Sequence, residues 1–145
     1  MFYMIMTKIL NFIKKYPFSI LTVIVIIYLS LFKPTSDKLL KINNIDKVAH
    51  FIMYAGFCVV VWFEYLRSHR VLNYKKIFLW AVVCPIFFSG FMEIAQGLFT
   101  KDRSGDWFDF LFNFLGVVSA ALFGNYILKP VIRKKDLRRN VASEV

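Results

Sequence analysis

The chain has 145 residues, of which 59% are hydrophobic and 19% aromatic, with a mean hydropathy of +0.58 and a net charge of +10. This length normally gives one domain, and a soluble domain of that size has too little interior to bury so much apolar surface. The composition excludes an ordinary soluble domain. It predicts an all-α integral membrane protein, because the apolar residues are gathered into long runs.

Four apolar segments approach the roughly 20 residues that a membrane-spanning helix needs. In chain order they are 17–32, 48–66, 77–99 and 107–128. The first segment follows a basic stretch, as a signal peptide would, but the LFKPTSDK after it contains no small-residue cleavage site. We therefore interpret it as a retained helix. The sequence predicts a four-helix transmembrane domain at 17–128, between a basic N-terminal segment 1–16 and a basic tail 129–145.

The distribution of basic residues predicts the topology. Thirteen of the nineteen Lys and Arg residues lie before the first segment, between the second and third, or after the fourth. The positive-inside rule therefore places both termini in the cytoplasm and the other two connections outside. This placement accounts for the positive charge without nucleic acid, and the basic tail IRKKDLRR is also suited to contact anionic lipid headgroups.

Polar side chains recur on one face of three predicted helices, all at the end that this topology places outside. Spacings of three and four residues put the members of each set on one side of a helix. The sets are Asp46, His50 and Tyr54; Pro85, Ser89, Glu93 and Gln96; and Asp106, Asp109 and Asn113, the last continuing through Gly116, Ala120 and Gly124. A carboxylate facing lipid costs roughly 2.5–3.5 kcal/mol or more, so these faces are expected to point into the bundle.

The depths of these residues follow from folding each helical hairpin at the middle of its connection. This places His50 at the same depth as Glu93, and Glu93 at the same depth as Asn113, about two to three turns below the outer surface. We therefore predict an outward-facing polar pocket. The alternative is that His50 and Glu93 form a buried pair that fixes helix register, with solvated charges in the loops.

The order and spacing of these residues resemble those of the VanZ-like family of small bacterial membrane proteins. The matching elements are DKVAHFIMY at 46–54, the ExxQ of Glu93 to Gln96, and a run from Arg103 through Asp106, Asp109 and Asn113 to Gly116. The resemblance covers about residues 46–124. It implies a multi-pass protein of the bacterial cytoplasmic membrane. The namesake of the family is associated with low-level resistance to the lipoglycopeptide teicoplanin, without resistance to vancomycin.

The leading functional hypothesis is a pocket that binds an envelope lipid headgroup, a lipid-linked cell-wall precursor or a lipoglycopeptide. Phosphate or carboxylate groups would meet the basic side chains, and the acidic and amide groups would orient them. The candidate pocket residues are Asp46, Lys47, His50, Tyr54, Glu93, Gln96, Arg103, Asp106, Asp109 and Asn113. We predict no cofactor and no dedicated metal site.

Two alternatives stay open. In the first, the protein is a metal-assisted enzyme on a lipid-linked envelope substrate, with His50, Glu93, Asp106 and Asp109 as acid–base groups or metal ligands. No established catalytic motif supports it, so enzymatic activity stays undecided. In the second, the small-residue ridge from Gly116 to Gly124 packs on a partner helix, although packing within the bundle is favoured. The sequence leaves the oligomeric state open.

Overall fold

The computed structural model describes residues 2–31, 45–99 and 107–142, and all regular structure within these ranges is helical. Helix α1 comprises Phe2–Lys15, α2 comprises Pro17–Leu31, and α3 comprises Ile45–Ser68. Helix α4 comprises Tyr74–Phe99. Helix α5 consists of three consecutive segments, Trp107–Phe123, Gly124–Leu128 and Lys129–Ala142. The structure confirms the predicted all-α fold.

Three of these helices, α3, α4 and α5, are each long and apolar enough to cross a membrane. Helices α1 and α2 meet that test only as a pair, and a bend of 85° separates them. The 15 residues of α2 extend about 22 Å, which is less than the roughly 30 Å of a hydrocarbon core. The described residues therefore contain three spanning helices, or four if the bent pair is one span.

Helices α4 and α5 each contain a π-helical turn directly before an X-Pro dipeptide. The turns are Leu79–Val83, which precedes Pro85, and Gly124–Leu128, which precedes Pro130. A proline inside an α-helix lacks the amide hydrogen and clashes with the carbonyl four residues earlier. The wider turn avoids that clash, so the helix continues past each proline. Helix α5 therefore extends beyond residue 128, where the sequence predicted the end of the last span.

The core centres on α3, which packs most extensively against α5. A Cβ atom added at Gly116 would lie 2.5 Å from the carbonyl oxygen of Phe51, and one added at Gly124 would overlap the ring of Trp62. Glycine permits this approach because the backbone of α3 fills the space at Gly116 and the ring of Trp62 fills it at Gly124. The small-residue ridge of α5 thus packs within the bundle, as favoured from the sequence.

The antiparallel helices give the bundle two distinct ends. We call the end that holds the first turns of α3 and α5 and the last turn of α4 the His50 end. The opposite end, with the α3–α4 connection at 69–73, is the His69 end. At the His69 end, the corner between α1 and α2 contains Tyr16, whose pKa is raised by burial and further by the neighbouring Tyr65 and Glu64.

Candidate polar binding site

Three helices contribute polar side chains to one cluster at the His50 end. His50 comes from α3, Glu93 from α4, and Asn113 and Asp109 from α5. The side chains of His50, Glu93 and Asn113 are 5%, 8% and 1% exposed, so none of them faces lipid. The helix faces predicted from spacing therefore turn inward at these positions. His50, Glu93 and Asn113, which were predicted to lie at one depth, are brought together.

Hydrogen bonds link His50, Asn113 and Glu93. The Nδ2 of Asn113 donates to Oε1 of Glu93 at 3.2 Å, and Oδ1 of Asn113 lies 3.1 Å from Nδ1 of His50. Since the amide oxygen of Asn113 can only accept, Nδ1 of His50 must be the donor. The other ring nitrogen, Nε2, then faces Oδ2 of Asp109 at 3.7 Å. Asn113 thus fixes the orientation of the ring and requires a proton on Nδ1.

The cluster contains more negative than positive groups among the described residues. The ring of His50 lies between Glu93, at 3.8 Å from Nδ1, and Asp109 on its other side, and Asp46 is one turn before it on α3. Buried charges are costly unless they are paired and hydrogen-bonded. The structure thus brings His50 together with carboxylates from all three helices.

The same residues provide a set of potential metal ligands. One ligand atom from each of Asp46, His50 and Asp109 lies within 4.8 Å of the other two. Carboxylate oxygen and imidazole nitrogen together suit zinc and other first-row divalent ions. The hydrogen bond from His50 Nδ1 to Asn113 is the kind of outer contact that orients a ligating histidine. The residues are thus compatible with a divalent ion, although the sequence predicted no dedicated site.

Other predicted pocket residues lie around the cluster or outside it. The Nζ of Lys47 lies 5.1 Å from the centroid of the Phe108 ring, at the rim of the cluster. Gln96 donates from Nε2 to the backbone oxygen of Ser30 at 3.1 Å, and so ties α4 to α2. The remaining two, Arg103 and Asp106, lie outside the described residues.

One turn deeper than the cluster are two buried hydroxyl groups. Tyr54, 1% exposed, follows His50 by four residues, and Ser89, fully buried, precedes Glu93 by four. Within the described ranges neither hydroxyl oxygen has a hydrogen-bond partner. Buried polar atoms are normally satisfied, so these two offer unused hydrogen-bonding capacity next to the charged groups.

Comparison with known proteins now assigns the family. The family model VanZ/LLP1 matches residues 2–128, which is most of the chain. The chain belongs to the VanZ/LLP1 family. No curated protein and no solved structure matches it. The family match confirms the resemblance inferred from the sequence, and it extends that resemblance to α1 and α2 of this VanZ/LLP1 protein.

A second buried carboxylate of this VanZ/LLP1 protein has a role that its sequence did not reveal. The spacing of Glu64 and Arg67 suggests an interfacial ion pair, but Glu64 is 3% exposed and binds the N-terminus of α2. Its Oε1 accepts from the backbone N–H of Phe18 at 2.8 Å. Its Oε2 accepts from the backbone N–H and the hydroxyl of Ser19 at 3.0 and 2.6 Å. No local sequence signal predicts this cap, because the two segments are more than 40 residues apart.

The VanZ/LLP1 bundle also carries an apolar groove of about 420 Å³ toward the His69 end. It lies between α2 and α3, and Leu128 of α5 adds a third side. The α2 residues that line it are Phe18, Leu21, Thr22 and Val25, and the α3 residues are Val59, Val60 and Phe63. The groove is on the far half of the bundle from His50, so it does not form part of the polar cluster.

Proposed function

We propose that the His50 end is a binding site for the polar headgroup of an envelope lipid or a lipid-anchored ligand, and that the protein modifies susceptibility to teicoplanin. The observation that carries this proposal is the buried chain Asp109–His50–Asn113–Glu93, built from three helices at one end of the bundle. Ionisable groups inside a membrane span are expensive, and they mark functional sites by default.

The charge of the cluster indicates the chemistry of the ligand. Its carboxylates suit ammonium or hydroxyl groups of a headgroup, and Lys47 at the rim suits phosphate or carboxylate. Zwitterionic headgroups, sugar-bearing precursors and glycopeptides all present both kinds of group. With the positive-inside topology, the cluster would face the outer leaflet, where such ligands are found.

A binding assay with purified protein in lipid nanodiscs tests this proposal directly. Teicoplanin and vancomycin are titrated separately against wild type, Glu93→Gln and Asp109→Asn. The control is Asp136→Asn, the same chemical change at an exposed carboxylate of α5. We expect teicoplanin to bind wild type and the control, and either cluster variant to bind at least about tenfold more weakly, because a hydrogen bond to a charged group is worth about 1.5–3 kcal/mol.

Susceptibility of a Gram-positive host gives the cellular test. Wild type, Glu93→Gln and Asp136→Asn are expressed at matched membrane levels. We expect selective protection against teicoplanin by wild type and the control, and none by Glu93→Gln. Equal protection by all three proteins would show that the cluster is not the functional site. Binding of an envelope lipid without any protection would remove the drug from the proposal and retain the headgroup site.

A second candidate function is metal-assisted chemistry on a lipid-linked substrate. The specific observation in its favour is the proximity of ligand atoms from Asp46, His50 and Asp109. A bound divalent ion would polarise a phosphoryl oxygen or activate water. Calorimetric titration with Zn²⁺, Mg²⁺ and Mn²⁺ checks this, with His50→Ala expected to abolish binding. Metal binding together with metal-dependent turnover of a lipid-linked precursor would favour the enzyme over the binding protein.

A further inference from the structure

The N-terminal helix α1 has two unlike faces. Its polar residues fall within about a third of the circumference, at spacings that bring them onto one stripe. They are Thr7, Lys8, Asn11, Lys14 and Lys15. The opposite face is apolar and centres on Phe2, Ile5, Met6, Ile9 and Ile13. None of the residues of α1 is buried, and Ile9 at the middle of that face is 53% exposed. The described residues therefore leave the apolar face uncovered.

The corner after α1 turns the helix away from the bundle axis. Helix α2 packs along α3, and its N-terminus is held by Glu64. From that corner α1 departs at 85°. Lys15, the last residue of α1, has its Nζ 3.0 Å from Nε2 of His69 in the α3–α4 connection. The angle of 85° is to α2, which packs on the spanning helix α3. With α2 along the direction of α3, α1 lies nearly parallel to the membrane surface.

Two contacts define the rotation of α1 about its own axis. The ring centroid of Phe12 lies 6.4 Å from that of Trp80. Trp80 is the seventh residue of the spanning helix α4. Lys15 instead reaches His69, outside the spans. One side of α1 thus faces the membrane-embedded part of the bundle, and the lysine stripe faces the connection. An in-plane amphipathic helix needs this rotation.

We propose that α1 is an interfacial helix that binds anionic phospholipids at the His69 end. Its apolar face lies among the upper acyl chains, and Lys8 and Lys14 contact lipid phosphates. Neither lysine has a salt bridge to a described residue, so both are available. Charge complementarity identifies the occupant as anionic lipid, since the surrounding connection and the C-terminal part of α5 are also basic. This surface is distinct from the polar cluster at the opposite end of the bundle.

Depth measurements on the full chain in bilayers test the geometry. A nitroxide is attached to Ile5→Cys, Ile9→Cys, Ile13→Cys or Asn11→Cys in turn, after a labelling pulse shown to leave the buried Cys58 and half-buried Cys84 unmodified in wild type. We expect equal depths at positions 5, 9 and 13, and access to aqueous relaxation agents at position 11. A helix that enters the membrane would instead change depth by about 6 Å at each step of four residues. That result, or equal water access on both faces, would overturn the proposal.

Lipid selectivity tests the headgroup contact. Native mass spectrometry of the full chain with equal phosphatidylglycerol and phosphatidylcholine gives the ratio of retained adducts. The α1 variant combines Lys8→Gln with Lys14→Gln. The control variant combines Lys134→Gln with Lys135→Gln, which removes the same charge from α5. Since one basic residue near a surface contributes about fivefold in affinity, the α1 variant is expected to lose several-fold to about 25-fold of the preference for the anionic lipid. The control should lose less. An unchanged ratio in the α1 variant, or equal losses in both variants, would refute the contact.

Discussion

Among the residues that the structure describes, two carboxylates are buried, Glu64 at the His69 end and Glu93 at the His50 end, and their surroundings are very different. Glu64 accepts three hydrogen bonds from Phe18 and Ser19 at the N-terminus of α2. Glu93 accepts from the amide of Asn113, which in turn contacts His50. Both residues are buried. Burial alone therefore does not distinguish their roles, but the partners do.

The difference separates a structural carboxylate from a candidate functional one. Glu64 neutralises the positive end of a helix dipole and satisfies backbone groups that would otherwise lack partners. Both of its carboxylate oxygens accept hydrogen bonds within the fold. Glu93 belongs to a group with three carboxylates on three helices, and clusters of buried charge generally add little net stability. The proposed function assigns this group of side chains to ligand binding.

The largest expected effect on stability follows Glu64→Gln. The amide NH₂ of glutamine would face N–H donors of α2, which leaves at least one of them without an acceptor. We expect a loss of about 3 kcal/mol in the free energy of unfolding. Unfolding in mixed micelles, followed by tryptophan fluorescence, measures it. Asp136→Asn is the control, and a loss below about 1 kcal/mol for Glu64→Gln would show that the cap is dispensable.

A smaller loss is expected for Gly116→Ala. The added methyl group would meet the backbone of α3 at Phe51 and Ala55, which cannot move aside as a flexible side chain would. Overpacking of this kind typically costs about 1–3 kcal/mol. The matched control is Gly56→Ala on α3, where a Cβ atom meets nothing within 4 Å. The same unfolding assay compares them, and equal stabilities would contradict the close approach of α3 and α5.

Glu93→Gln should change stability by no more than about 1 kcal/mol, while removing ligand binding. The amide oxygen of glutamine can still accept from Asn113, and the substitution removes a buried charge. Unfolding and teicoplanin binding are measured on the same preparations. A loss of stability as large as that of Glu64→Gln would place Glu93 among the structural carboxylates and remove the contrast between the two ends.

The smallest effect is expected for Tyr54→Phe. Its hydroxyl is buried without a hydrogen bond to the described residues, so removing it should leave the free energy of unfolding unchanged or slightly raised. Tyr65→Phe is the control, because the hydroxyl of Tyr65 donates to the backbone oxygen of Asn73 at 3.4 Å. That change should cost up to about 1 kcal/mol. A cost for Tyr54→Phe above that of Tyr65→Phe would indicate that the hydroxyl is satisfied, for example by bound water.

Much of the cluster was predictable, because spacings of three and four residues define helix faces and hairpins set relative depth. These two rules predict that His50, Glu93 and Asn113 lie together, and the structure places them in contact. They did not place Gln96, which shares the face of Glu93 but bonds to Ser30 of α2. A spacing gives the direction of a side chain from its own helix, and not which neighbouring helix lies there.

The sequence by itself determined the helical class, three of the spans, the inward direction of each polar face and the glycine positions for close packing, because hydropathy and helical periodicity are local properties. Only the tertiary structure decided that Glu64 caps α2, that α1 turns by 85°, and that Asn113 orients the ring of His50. Each of these depends on groups distant in the chain, and their distances exist only after the helices have packed.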